Sequence, residues 1–179
     1  GDICNTRHTI DIKRQENMQY YNFIETFSVY NDKLKEVINV ADNLRKEFRD
    51  NSLQATIVPH SPYSVHPSLL RDILSRFDHE DKIISIHLQE RFLENDLFEK
   101  KKGELLYWLK SIKSNSDIWE KRNRAIDVVK EMNNRRKLLV HNTFSRKEDV
   151  LQEAYYCTCP KANLYIENKL PDYSLFNPD

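Results

Sequence analysis

Three apolar segments of this chain each end in a histidine, and this repeated pattern limits the folds that the chain can adopt. The segments are residues 55–60, 83–87 and 137–141. Each is short, apolar and rich in leucine or β-branched residues, which is typical of a strand buried in a parallel sheet. Parallel strands bring their carboxyl ends to one edge of a sheet, where α/β proteins place their ligands and reacting groups. We therefore expect His60, His87 and His141 to lie close together.

The rest of the sequence alternates predicted strands with predicted helices. Further strands are predicted ending near residues 2–6, at 20–27 and at 155–159, and helices at 31–49, 67–77, 91–112, 117–133 and 146–154. This alternation predicts right-handed crossovers and a parallel α/β sheet. The sequence contains no linker, so residues 1–179 are expected to form a single domain. Six strands fit either an open doubly wound sheet or part of an eight-stranded barrel, and a full barrel takes ~250 residues.

Composition excludes several classes of function. The chain has 179 residues, is 39% hydrophobic and 31% charged, and carries no net charge, so neither a nucleic acid nor an anionic membrane is indicated as a partner. No apolar run approaches the ~20 residues of a membrane span. Cys4, Cys157 and Cys159 lack the spacing of a disulfide framework, which indicates reduced thiols and a cytoplasmic location.

Four short motifs follow predicted strands in a fixed order. They are Pro-His-Ser-Pro-Tyr-Ser at 59–64, His-Leu-Gln-Glu at 87–90, Val-His-Asn-Thr at 140–143 and Cys-Pro-Lys-Ala-Asn at 159–163. Together they resemble the metal-dependent amidohydrolase superfamily, in its branch of chlorohydrolases, guanine deaminases and adenosine-type deaminases. The resemblance covers nearly the whole chain. It implies a partial (β/α)8 barrel of the TIM type that spans about strands two to seven and is incomplete at both ends.

The resemblance also implies roles for three residues. His87 matches the histidine after strand five that binds one divalent metal, zinc or iron. Glu90 matches the glutamate that transfers protons, and His141 matches the strand-six histidine that contacts the attacking water or the substrate. These roles agree with elementary chemistry, because a metal lowers the pKa of bound water to about 7, imidazole is a standard ligand, and a carboxylate can relay the proton.

Further candidates are substrate-binding residues. His60 resembles the strand-four histidine that faces the substrate, and Tyr63 and Asn163 are additional candidates for substrate contacts. The sequence departs from the family pattern because it has no His-x-His, no strand-eight aspartate, and Ala162 in place of the usual serine. The first two absences fit a fragment without the barrel ends, which would hold at most a quarter of the metal site.

These observations predict part of a hydrolase that acts on non-peptide C–N bonds. The full protein is expected to deaminate a heterocyclic or related small molecule by attack of a metal-bound hydroxide. The isolated fragment is expected to bind metal weakly or not at all, to be inactive, and to self-associate through open sheet edges. The alternative is a non-catalytic α/β module that binds a small ligand at the carboxyl ends of its strands.

Overall fold

Two parallel three-stranded sheets form the framework of the protein. The computed structural model describes residues 1–15, 17–78, 81–112, 122–132 and 135–176. The first sheet contains β1 (Asp2–Cys4), β2 (Tyr21–Thr26) and β3 (Gln54–Pro59), and the second contains β4 (Ile84–Leu88), β5 (Lys137–His141) and β6 (Ala154–Cys157). Within each sheet, neighbouring strands are parallel and follow chain order. A doubly wound sheet would reverse its strand order, whereas a barrel keeps it, so the order favours the predicted partial barrel.

The two sheets meet between β3 and β4 at their carboxyl ends. The backbone N–H of His87 donates to the carbonyl oxygen of His60 across 2.9 Å. His60 in turn donates its own backbone N–H to the carbonyl oxygen of Thr26, at the end of β2. The carboxyl ends of β2, β3 and β4 are therefore joined side by side, and side chains from three strands converge there.

Helices follow most of the strands. They are α1 (Ile10–Gln15), α2 (Leu34–Asp50), α3 (Pro67–Ser75), α4 (Phe92–Lys100), α5 (Glu104–Ser111), α6 (Ala125–Lys130) and α7 (Pro160–Glu167), with 3-10 turns at Lys147–Asp149 and Tyr173–Leu175. The predicted amphipathic face of α2 is confirmed, because Leu34, Ile38, Ala41 and Phe48 are buried. None of the described helices is long and apolar enough to cross a membrane.

The predicted helix over 91–112 is wrong in one respect, because it is two helices. Lys101 ends α4 in the left-handed region with φ of 53°, and Gly103 has φ of 98° just before α5. A β-carbon at Gly103 would lie 3.3 Å from Cβ of Asp96, so the close approach suits glycine. The change of direction lets α4 and α5 pack against each other.

The remaining helix predictions differ from the structure in extent. The segment 146–154 forms only a 3-10 turn at Lys147–Asp149, because Val150 already has extended backbone geometry. Much of the helix predicted over 117–133 lies outside the described residues, and α6 is its described part. The short helices α1 and α7 were not predicted.

Buried apolar side chains from both sheets form one cluster. Phe48, Leu69, Ile86, Leu97 and Phe98 are among its fully buried members. Burying a side chain of this size contributes about 1.5–3 kcal/mol to folding, before the loss of conformational entropy is subtracted. This packing fixes the positions of the strands, and it therefore also fixes the positions of the polar residues at their carboxyl ends.

Candidate functional site

Three imidazole rings stand in a row at the carboxyl edge of the sheets. The ring centroids of His60 and His87 are 5.1 Å apart, and those of His87 and His141 are 5.4 Å apart. The register pairs His87 with Val140 and Leu88 with His141, so the two strand ends are adjacent. His141 has φ of 77°, which departs from the extended geometry that would alternate its side chain to the opposite face from His87. The structure thus brings together the three strand-end histidines, as the sequence pattern predicts.

His87 uses one ring nitrogen for contacts within the protein. Its Nδ1 lies 3.1 Å from the carbonyl oxygen of His60 and 3.2 Å from Oε1 of Glu25. Both neighbours are acceptors, so Nδ1 carries the proton and the neutral ring keeps the lone pair of Nε2. Burial lowers the pKa of His87, but the contact with Glu25 outweighs it and the net pKa is raised.

Glu25 is a site residue that was not predicted from the sequence. It lies near the carboxyl end of β2, its side chain is only 10% exposed, and its buried Oε1 lies 3.2 Å from Nδ1 of His87. Burial raises the pKa of Glu25, but the contacts with His87 and His60 outweigh this effect and the net pKa is lowered. The available signal was a glutamate between Ile24 and Thr26, where an apolar strand ends.

His60 is held by the loop that follows β3. Its Nδ1 lies 2.7 Å from Oγ of Ser64, which in turn lies 2.7 Å from Oγ of Ser61. Burial lowers the pKa of His60, which favours a neutral ring. Tyr63 packs edge-on against this ring with a centroid distance of 6.1 Å, and burial raises the pKa of its hydroxyl to about 12. His60 therefore retains Nε2 for another partner, and Tyr63 stays protonated.

His141 connects Glu90 with Asn163. Nδ1 of His141 lies 2.8 Å from Oδ1 of Asn163, and Nδ2 of Asn163 donates back to the carbonyl oxygen of His141 across 3.3 Å. The amide oxygen of Asn163 accepts from Nδ1–H, so Nε2 of His141 faces Glu90 without that proton. Nε2 lies 3.2 Å from Oε1 of Glu90, and a contact of this kind requires a proton on one of the two atoms. The pair is thus arranged to share and transfer a proton.

A buried carboxylate fixes the turn that carries Glu90. Gln89 has φ of 49°, in the left-handed region that non-glycine residues seldom adopt. Glu94 is fully buried, and its two oxygens accept the backbone N–H groups of Gln89 at 3.1 Å and Glu90 at 3.0 Å. Burial raises the pKa of Glu94 to about 7. Glu94 is not among the site residues predicted from the sequence.

The side chain of Gln89 anchors the same turn from the other side. Its amide nitrogen donates to Asp149 across 3.0 Å, and its amide oxygen accepts from Ser145 across 2.6 Å. Asp149 is buried and pairs with Arg124 at 2.5 Å. Contacts from both faces therefore hold Glu90 beside His141.

All six residues predicted from the sequence lie at this carboxyl edge. His60, His87 and His141 form the row of rings, Glu90 and Asn163 contact His141, and Tyr63 contacts His60. The structure places these residues together, and their chemical roles remain predictions.

Comparison with known sequences agrees with this geometry. The profile of the Amidohydrolase family matches residues 7–174. The adenosine deaminase of Helicobacter pylori is 26% identical over 159 residues, which are 83% of this chain and 36% of that protein. The aminodeoxyfutalosine deaminase of a Nitratiruptor species is 24% identical over 131 residues, which are 71% of this chain and 32% of that protein. The chain thus spans about a third of the length of these relatives.

Solved structures show the same fold. The crystal structure of Helicobacter pylori aminofutalosine deaminase matches with a TM-score of 0.81 and 22% identity, over 97% of this chain and 45% of that one. Its complex with methylthio-coformycin matches with a TM-score of 0.79 and 22% identity, over 97% and 44% of the two chains. This likeness confirms the predicted partial TIM-type barrel. Since the family profile covers nearly the whole sequence, the chain belongs to the amidohydrolase family.

Proposed function

We propose that this chain is the central part of a barrel enzyme that deaminates a heterocyclic small molecule by hydrolysing a non-peptide C–N bond. The observation that carries this proposal is the contact between Glu90 and His141, one ring away from His87. The named deaminases among the relatives support a substrate with an amino group on a purine-like ring.

His87 is the residue proposed to bind a divalent metal. Its Nδ1–H donates to the carbonyl oxygen of His60, which leaves the lone pair of Nε2 available as a metal ligand. Imidazole nitrogen is a suitable ligand for zinc or iron(II). The donor chemistry therefore fits the metal that deaminases of this family generally use. When bound, such a metal lowers the pKa of water and makes it a nucleophile near neutral pH.

Glu90 and His141 are proposed to move the proton. Glu90 takes a proton from the attacking water and passes it to the substrate nitrogen, so that ammonia can leave. His141 shares this proton through Nε2 and is held in place by Asn163. Two observations support proton transfer by this pair. Nε2 of His141 lies 3.2 Å from Oε1 of Glu90, and Glu94 accepts the backbone N–H of Glu90 and so fixes its turn.

His60, Tyr63 and Asn163 are proposed to lie on the substrate side of the site. His60 and Tyr63 pack edge-on at the carboxyl end of β3 and present a polar, aromatic wall. Asn163 is fully buried against His141, so its contact with substrate would be made next to that ring. A cytoplasmic location is proposed from the free thiols of Cys157 and Cys159.

The test is ammonia release from adenosine and other aminopurines by the whole protein that contains this chain. Glu90→Gln is expected to lower kcat by about 10²- to 10⁴-fold, because the variant cannot accept the proton. Glu153→Gln, an exposed residue, is the matched control and is expected to leave kcat unchanged.

Two outcomes would contradict the proposal. Unchanged kcat in the Glu90→Gln variant would remove this residue from proton transfer. Tight binding of a purine without ammonia release would favour the non-catalytic module instead. The isolated 179-residue chain, assayed beside the whole protein, is expected to release no ammonia.

A further inference from the structure

We propose that a cluster of surface residues at the carboxyl edge positions Glu90 and His141 for proton transfer. We call this cluster the outer clamp, and its members are Arg91, Phe92, Phe144, Glu167 and Lys169. The inference rests on the proposed function for the roles of Glu90 and His141. It deepens that function by adding positioning residues, which act on the reaction only through this pair.

Three separate elements carry the groups proposed to move the proton. Glu90 lies in the turn between β4 and α4, His141 is the last residue of β5, and Asn163 lies in α7. Nε2 of His141 is 3.2 Å from Oε1 of Glu90, at the long end of the range in which proton transfer is efficient. A small change in the distance between these elements would therefore weaken the transfer.

The outer clamp links the same three elements in a closed triangle. At the start of α4, Nε of Arg91 donates to Oε1 of Glu167 at the end of α7 across 3.3 Å. The neighbouring Phe92 packs edge-on against Phe144, which follows β5, with a centroid distance of 5.7 Å. Lys169, just after α7, places Nζ 4.5 Å from the centre of the Phe144 ring. Each of the three elements is therefore held by the other two.

The backbone around the reacting pair depends on such support. Gln89, His141 and Asn142 have φ of 49°, 77° and 53°, in the left-handed region that non-glycine residues seldom adopt. Conformations of this kind persist only where surrounding contacts hold them. Glu94 holds the turn at Gln89 from the protein interior. The outer clamp adds contacts on the solvent side, where 52% of the Arg91 side chain is exposed.

The contacts of the outer clamp are individually weak, so their loss should affect the reaction more than the fold. Ion pairs as exposed as the one between Arg91 and Glu167 contribute little to stability, and a single pair of rings adds a modest amount. Catalysis is more sensitive, because a misplacement of reacting groups by about 1 Å can lower a rate by about 10²-fold. Removing one contact should therefore leave the chain folded and loosen the turn that carries Glu90.

The test measures ammonia release by the whole protein that contains this chain, on the aminopurine that it deaminates fastest. Arg91→Gln removes the ion pair, and Phe144→Leu removes both ring contacts but keeps an apolar side chain. We expect each variant to lower kcat by about three- to tenfold, and to change KM by less than about twofold. Arg14→Gln, in the exposed part of α1, is the matched control and should leave kcat unchanged.

Two further variants separate positioning from a general loosening of the fold. A residue that acts only through Glu90 has nothing left to position once that carboxylate is removed. Arg91→Gln added to Glu90→Gln should therefore lower kcat no further than Glu90→Gln alone. Arg91→Lys keeps the charge and should retain at least about half of the kcat, since Arg91 uses a single donor here.

Three outcomes would overturn this inference. The first is an unchanged kcat in the Arg91→Gln, Phe144→Leu double variant. The second is an equal loss of kcat with and without the carboxylate of Glu90, which would indicate a role in stability alone. The third is a raised KM with unchanged kcat, which would assign Arg91 to substrate binding.

The variant Glu90→Gln by itself separates this inference from the proposed function. If Glu90→Gln lowers kcat and one of the three outcomes is also found, only the outer clamp is refuted. If Glu90→Gln leaves kcat unchanged, the proposed function fails, and the positioning role fails with it.

Discussion

Replacing Glu94 with glutamine should remove a specific part of the pH dependence of stability. Glu94 is fully buried in α4, and burial raises the pKa of its carboxyl group from 4.5 to about 7. Between these two values the folded protein holds the proton of Glu94 while the unfolded chain releases it. The free energy of unfolding is therefore largest below pH 4.5 and falls as the pH rises through 7.

The magnitude follows from the size of the shift. Each pKa unit corresponds to about 1.4 kcal/mol, so this group contributes on the order of 3 kcal/mol that is present at acid pH and lost by about pH 8. Glu94→Gln does not titrate and also loses one of the two acceptors for the N–H groups of Gln89 and Glu90. A lost buried hydrogen bond costs a further ~1–3 kcal/mol at every pH.

Urea unfolding of the unchanged chain and the variant across this pH range measures the effect. The difference in unfolding free energy between the two should shrink by on the order of 3 kcal/mol from about pH 4.5 to about pH 8. Subtracting the unfolding free energy of the variant from that of the unchanged chain at each pH removes the contributions of the other titrating groups. The exposed Glu36→Gln is the matched control and should show no such trend. A difference that stays constant with pH would refute the argument that burial controls the protonation of Glu94.

Two further predictions concern the histidines and the sheet edges. In an NMR titration of the metal-free chain, the ring of His87 should gain its second proton at a higher pH than the ring of His60. Burial lowers the pKa of both rings, but the contact with Glu25 outweighs it at His87 and raises the pKa of that ring. Protonation of His60 at the higher pH would contradict this prediction. In sedimentation velocity the chain should run larger than a monomer, because the outer strands leave Ile3 39% and Tyr155 56% exposed; a single monomer boundary would argue against pairing of these edges.

The strands and the row of histidines could be predicted because they depend on short-range patterns. A run of apolar β-branched residues that ends in a polar one specifies both the strand and the point at which it ends. The parallel arrangement then brings His60, His87 and His141 together without any knowledge of side-chain packing. The break between α4 and α5 was less visible, since it depends on the left-handed geometry of Lys101 as well as on Gly103.

Glu25 and Glu94 were missed for a different physical reason. A glutamate is usually solvated, and nothing in its sequence neighbourhood states that the fold will bury it. Its burial depends on partners from other elements: His87 for Glu25, and the backbone of the turn at Gln89 and Glu90 for Glu94. Such tertiary contacts become visible only when the elements are assembled.

The carbonyl oxygen of His60 accepts two N–H groups of one residue, the backbone N–H of His87 at 2.9 Å and its ring Nδ1–H at 3.1 Å. The first bond belongs to the seam between the two sheets, and the second sets the orientation of the imidazole. A hinge motion that changed the angle between the two sheets would therefore also rotate the imidazole ring of His87. The orientation of His87 relative to His60 and His141 thus depends on the distance between β3 and β4 at the junction of the two sheets.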